Sequence, residues 1–207
     1  MTELFLSAFV TLFVVIDPPG CTPIYAGLTK GATAAQARSM AIRACLIAGA
    51  ILVIFALFGE DLLGALHIEL DSFRIAGGIM LFLIALEMVF EKRQERRENR
   101  ANEINATPEH EDISVFPMAI PMIAGPGSIA SVMLLMARSD GLEGSLIVMA
   151  ALAAILLLTL LALLAAGPIM RVLGTKVEGM ITRILGVILA ALAAQFVIDG
   201  ISISFSV

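Results

Sequence analysis

Six runs of roughly twenty mainly apolar residues divide the chain, and they constrain its fold more than any other feature. The runs cover 4–28, 39–58, 73–90, 115–137, 145–168 and 180–201. Each is long enough for an α-helix to cross the hydrocarbon core of a bilayer, where every backbone N–H and C=O must be bonded internally. The fifth carries no charge from Ser145 to Met170, and the third and sixth are framed by Arg74 and Glu87 and by Arg183 and Asp199. Such end charges can snorkel to the interface. A water-soluble fold of 207 residues could not hide this much apolar surface: 59% of the residues are hydrophobic, only 15% are charged, and the mean hydropathy is +1.00. The expected fold class is an all-α membrane protein with six transmembrane helices, and its first partner is the lipid bilayer.

The N-terminal run follows Met1-Thr2-Glu3, which supplies no basic n-region, and it outruns a signal h-region. It is expected to be a retained helix. Orientation follows from the basic residues. Lys30, Arg38 and Arg43 follow the first run, Lys92, Arg93, Arg96, Arg97 and Arg100 the third, and Arg171, Lys176 and Arg183 the fifth, which places eleven of the thirteen on one side. Arg74 and Arg138 fall on the other, where Glu60, Asp61, Glu69 and Asp71 gather. The odd-numbered connections are therefore expected in the cytoplasm, and both termini outside it. Residues 91–114 read as a charged cytoplasmic linker between two units, 1–90 and 115–207.

Those two units look like repeats. Ile16-Asp17-Pro18-Pro19-Gly20-Cys21 aligns with Ile123-Ala124-Gly125-Pro126-Gly127-Ser128, an offset of 107 residues (16 to 123). Arg74-Ile75-Ala76-Gly77 aligns with Arg183-Ile184-Leu185-Gly186, an offset of 109 (74 to 183). Three spans per repeat is an odd number, so the second unit must enter from the opposite side. Two inverted three-helix repeats, related by an axis in the membrane plane, are the expected architecture.

In both units the first helix is expected to be broken. Asp17 lies near the middle of its run, where an isolated carboxylate costs on the order of 2.5–3.5 kcal/mol on insertion scales. Pro18 and Pro19 follow at once, and each removes a backbone donor and clashes with the preceding turn. Pro117, Pro121, Gly125 and Pro126-Gly127 repeat the interruption in the fourth run. Half-helix ends at matched depth attract ligands, with N–H groups for anions and freed carbonyls for cations. The candidate substrate or ion site is Asp17, Pro18, Gly20 and Thr22 with Gly125, Pro126, Gly127 and Ser128. The hydroxyls of Thr22 and Ser128 could bind a ligand or simply satisfy freed carbonyls. Gln195 reads as interhelical glue, and Gly186, Ala190 and Ala194, like Ala41, Cys45 and Gly49, as faces for close helix packing.

Asp17-Pro18-Pro19-Gly20, Arg74-Ile75-Ala76-Gly77-Gly78, Pro121 with Ala124-Gly125-Pro126-Gly127-Ser128-Ile129, and Gln195-Phe196-Val197-Ile198-Asp199-Gly200 together resemble the MarC-related family of bacterial inner-membrane proteins. The likeness runs over nearly the whole chain, and the wider group resembles the LysE-type exporters. It implies residence in the cytoplasmic membrane and transport of small neutral amino acids. Some members of that family have Asn where this chain has Asp17.

The function expected is secondary transport, namely export of small neutral amino acids or related metabolites through a site between the two broken helices. A cation carrier or channel using Asp17, or a translocator of lipid-linked carriers, are the alternatives. The lipid-carrier reading calls for a buried cation, and no Lys or Arg lies mid-run. An intramembrane enzyme fits least: no HExxH or GxSxG occurs, and His67 and His110 fall in connections remote from Ser128. Walker motifs, cofactor motifs and metal-ligand spacing are absent from the sequence, as is the basic, aromatic-interleaved pattern of nucleic-acid binding. Cys21 and Cys45 form no CxxC pair.

Overall fold

Proline breaks the first and fourth spans of this chain, and lipid-length apolar runs decide how far the other helices go. A computed structural model describes residues 2–93, 95–96, 99, 112–139 and 141–205, with 171–178 described in their backbone only. Most of the expected linker 91–114, His110 included, lies outside the described residues. The elements are α1 (Thr2–Ile16), α2 (Pro18–Leu28), α3 (Ala34–Ala65), α4 (Leu70–Val89), the wide-turned segment α5 (Ser114–Ile123), α6 (Pro126–Ala137), α7 (Gly141–Leu164) and α8 (Ala166–Phe205). No strand occurs among the described residues. Five spans are long and apolar enough to cross a membrane, with α1 and α2 together forming the first, and the α5–α6 pair, bent by 52°, completes six.

Local chemistry explains the boundaries. Thr33 and Gln36 form a reciprocal capping box that starts α3. Asp112 accepts from the Ser114 amide at 2.9 Å at the head of α5, and Arg43 reaches the same carboxylate at 2.9 Å. The Ser114 hydroxyl and amide hold that carboxyl below its usual range. Within α5, Phe116 and Ile120 are extended, each preceding a proline, and backbone bonds reach five residues back, from Met118 to Ile113 and from Ala124 to Ala119. The connection after α7, expected as a loop, is instead helical from Ala166, so α8 runs on unbroken into the sixth span. Charge at 171–183 reads as interface, and a helix that leaves lipid can carry it.

Two apolar clusters hold the helices together. The larger joins α1, α2, α3, α5, α6 and α7 around Leu12, Ile16, Leu52, Ile123, Leu152 and Ile155. The smaller joins Val14 and Val15 of α1 to Leu81, Ala85 and Met88 of α4, Leu134 of α6, and Leu189, Ala193 and Phe196 of α8. Outward-facing Leu46, Ile54 and Leu57 on α3, and Leu146, Leu157 and Leu161 on α7, remain exposed, as helices solvated by lipid require. Small residues set the closest approaches. Gly49 of α3 meets Leu156 of α7, Gly78 of α4 meets Ala193 and Val197 of α8, and Gly186 of α8 meets Ala85, Met88 and Val89 of α4. These pairings make α4 and α8 antiparallel. The buried stripe of α8 runs through Thr182, Gly186, Leu189, Ala193 and Phe196, so Ala194, expected on the packing face, is exposed. Gln195 bonds Asp199 along its own helix at 2.6 Å rather than bridging helices.

Candidate functional site

The first break is built from Asp17 outward. Its backbone is left-handed (φ 58°, ψ 64°), a region Asp tolerates better than most residues. Its side chain accepts from the Gly20 amide at 3.1 Å, so Asp17 is the N-cap of α2, 1% exposed. Pro18 and Pro19 carry no N–H, which leaves the carbonyls of Val14 and Val15 without their helical donors. Arg93 supplies one replacement: it reaches back past the end of α4 and donates to Val15 O at 2.8 Å. The Cys21 thiol donates to Ile16 O at 3.4 Å, and the Thr22 hydroxyl to Pro18 O at 2.8 Å. Thr22 therefore satisfies backbone here.

The second break stands beside the first. Gly125 caps α6, Pro126 opens it, and its first helical bond runs from Ile129 to Gly125 O. The amides of Gly127 and Ser128 lie in the first turn, where no intrahelical acceptor is available. Gly127 is pressed between two helices: a Cβ there would lie 2.6 Å from Ile84 of α4 and 3.2 Å from Val15 of α1. A side chain at 127 would have to displace the Ile84 and Val15 side chains, so glycine suits this close approach. Val15, two residues before Asp17, thus touches the second break directly while its carbonyl is held by Arg93.

A cavity of about 380 Å³ opens at this junction. Gly125, Pro126, Gly127 and Ser128 form one wall, with Pro117, Pro121 and Met122 of α5 beside them. The stripe Met80, Leu83, Ile84 and Glu87 of α4 forms the wall opposite, and Arg93 and Arg96 close the end. Glu87 pairs with Arg96 at 2.7 Å. The described charged lining is therefore two arginines against one glutamate, beside the positive end of a helix. All four candidate residues of the second break line the cavity; Asp17, Pro18, Gly20 and Thr22 do not, and they join it only through Val15 and Arg93.

The chain matches the description MarC family integral membrane protein over residues 2–205. It belongs to the MarC family. It is 37% identical to a UPF0056 membrane protein of Methanocaldococcus jannaschii, across 96% of each chain. It is 36% identical to UPF0056 membrane protein YvbG of Bacillus subtilis, across 100% of this chain and 98% of that one. The UPF0056 inner membrane protein YhgN of Escherichia coli is 33% identical, across 95% of each. No solved structure matches it. This MarC protein is thus a multi-pass integral membrane protein whose relatives span bacteria and archaea. Its sequence hides three lining residues, Glu87, Arg93 and Arg96, among the charges that close the third span. Only the i, i+3, i+4, i+7 spacing of Met80, Leu83, Ile84 and Glu87 could have marked that face of α4.

Proposed function

We propose that this MarC protein is a secondary transporter of the bacterial inner membrane, exporting small neutral amino acids or related metabolites through the cavity at the second break. The observation that carries this reading is the contact of Gly127 with Val15, which sets the end of α1 at the first break against the start of α6 at the second, beside a cavity sized for a small solute. The cavity lies at the end of α4 that the distribution of Lys and Arg assigns to the cytoplasm, which suits loading from inside. Packing of α4 on α8 supports inverted repeats. Gly78 meets Val197 and Gly186 meets Met88, and an offset of 109 residues exchanges these positions to within one residue (78 to 187, 88 to 197).

Arg93 also favours a second reading, translocation of a lipid-linked carrier, because it brings a half-buried cation to the cavity, as such a phosphate needs, beside the exposed apolar Met80 and Leu83. Counterflow separates the two. Proteoliposomes preloaded with unlabelled L-alanine should accumulate labelled alanine, and Gly127→Leu, purified as folded protein, should not. Absence of counterflow with glycine, alanine and serine alike would rule out the amino-acid reading.

A further inference from the structure

We infer that Arg138, Asp199 and Arg74 form the outer gate of the solute path, and that Asp199 passes from Arg138 to Arg74 when the gate opens. This rests on the transport reading, because alternating access requires the outer side to be shut while the cavity at the cytoplasmic end is open. Arg138, the C-cap of α6, pairs with Asp199 of α8, and its guanidinium lies 4.4 Å from the centroid of the Phe196 ring. Gln195 donates to the other oxygen of Asp199 at 2.6 Å. One carboxylate thus ties the end of α6 to α8, on the side that the basic residues assign to the outside. The helix that walls the cavity at its start is latched at its end.

Arg74 marks the second state. Its side chain, near the start of α4, is 12% exposed and pairs with Asp71 at 3.6 Å, and its Nε has no hydrogen-bond partner among the described residues. Arg74 and Arg138 lie close enough for their like charges to act on each other. Asp199 is within reach as well, since a Cβ on the next residue, Gly200, would lie 3.2 Å from the Arg74 Cβ. At the opposite end of the same helix pair, Arg183 of α8 is bonded to Glu91, just past α4. The offset of 109 takes Arg74 to Arg183 and Glu91 to within one residue of Asp199 (74 to 183, 91 to 200). A pair between Arg74 and Asp199 is the counterpart that the repeat requires, and Arg138 holds its carboxylate.

The seam beyond the second break is prepared for water. Ser131 stands one turn on from Gly127, on the face that meets α1 and α4, and its hydroxyl is fully buried and unpartnered among the described residues. Buried polar atoms of this kind are rare, and two of the three side-chain examples among the described residues are Ser131 Oγ and Arg74 Nε. Opening supplies both, with water for the hydroxyl and Asp199 for the guanidinium. The end of α6 has room to move: a cavity of about 340 Å³ lies behind it, between Met133, Met136 and Ala137 of α6, Glu60 of α3 and Ser145 of α7. Displacement into that space parts α6 from α8 and releases Asp199.

Thiol accessibility in the full-length protein, in a Cys21→Ser and Cys45→Ala background, tests the gate without any solute. Ser131→Cys is probed on intact cells, and Ser128→Cys in inside-out vesicles, with a charged, impermeant methanethiosulfonate. Arg138→Gln should speed the reaction at 131 by about 5- to 100-fold, the range of such couplings, and should not speed it at 128. Arg74→Gln should act the other way, slowing 131 and cancelling the gain in Arg138→Gln, because the open state loses its pair. Exchanging the charges, Arg138→Asp with Asp199→Arg, keeps the closed pair and faces Arg74 with a like charge, so 131 should stay as slow as in the wild type or slower. An unchanged rate at 131 in Arg138→Gln, a rise at 131 and 128 together (a loosened bundle), or a rise in Arg74→Gln would each overturn the gate. Should Arg138→Gln not fold, the exchange and Arg74→Gln decide alone, and a faster 131 in either overturns it. If accessibility shifts as stated but no amino acid crosses proteoliposomes, the transport reading fails and the gate stands.

Discussion

Asp17 carries two burdens at one position: a left-handed backbone and the cap of a half-helix, both inside an apolar core. Asn meets both, because it tolerates that backbone and accepts the same amide bond. Asp17→Asn should therefore melt with the wild type, whereas Asp17→Ala should lose about 1–2 kcal/mol from the missing cap and more from the strained backbone. Thermal unfolding in detergent measures this, and an Ala variant as stable as wild type would remove the capping role. Asp17→Asn that folds but no longer transports would mean that the charge does more than cap. The sequence marks Asp17 and the two Pro-Gly breaks because proline chemistry is local and needs no tertiary information. Arg93 is illegible there. It stands in a run of charges that reads as solvated, and only the turn at Glu91, where φ is 61°, carries it back to Val15.

At the scale of elements, hydropathy shows where spans lie, but not which faces meet. The periodicity of α8 is shallow, since alanine stands on its buried face (Ala193) and on its exposed face (Ala191, Ala194) alike, and so Gly186-Ala190-Ala194 looked as good a face as the real one through Gly186, Leu189 and Ala193. The α5 segment was legible as broken, and its extended Phe116 and Ile120 follow locally from the prolines after them, but the backbone bonds that reach five residues back were not legible. The α4–α8 contact depends on missing side chains. A Cβ on Gly78 would lie 2.9 Å from the Ala193 carbonyl and one on Gly186 3.1 Å from the Ala85 carbonyl, both backbone atoms that cannot step aside. Gly78→Leu and Gly186→Leu should each cost about 1–3 kcal/mol or more, with less folded protein recovered. Gly27→Ala and Gly64→Ala, where a Cβ meets nothing within 4 Å, should be nearly silent. Equal yields and melting temperatures across the four variants would contradict this packing.

For the whole molecule, the basic residues and the broken helices make linked claims about sidedness and access. Single cysteines at Glu69 and Lys30, in a Cys21→Ser and Cys45→Ala background, should label oppositely when intact cells meet an impermeant thiol reagent. Position 69 should react and position 30 should not, and the reverse pattern would turn the protein over in the membrane. The central claim is that the paired breaks form a solute site reached through the cytoplasmic-end cavity. Ser128→Cys in the same background tests it most directly, by its reaction with a charged, water-soluble methanethiosulfonate in inside-out vesicles, with and without L-alanine. The account predicts modification although position 128 is 2% exposed and flanked on both sides by spanning helix, and it predicts that alanine slows the reaction. A cysteine that ignores the charged reagent and reacts only with a lipid-soluble maleimide, or reacts equally with alanine present, would contradict it.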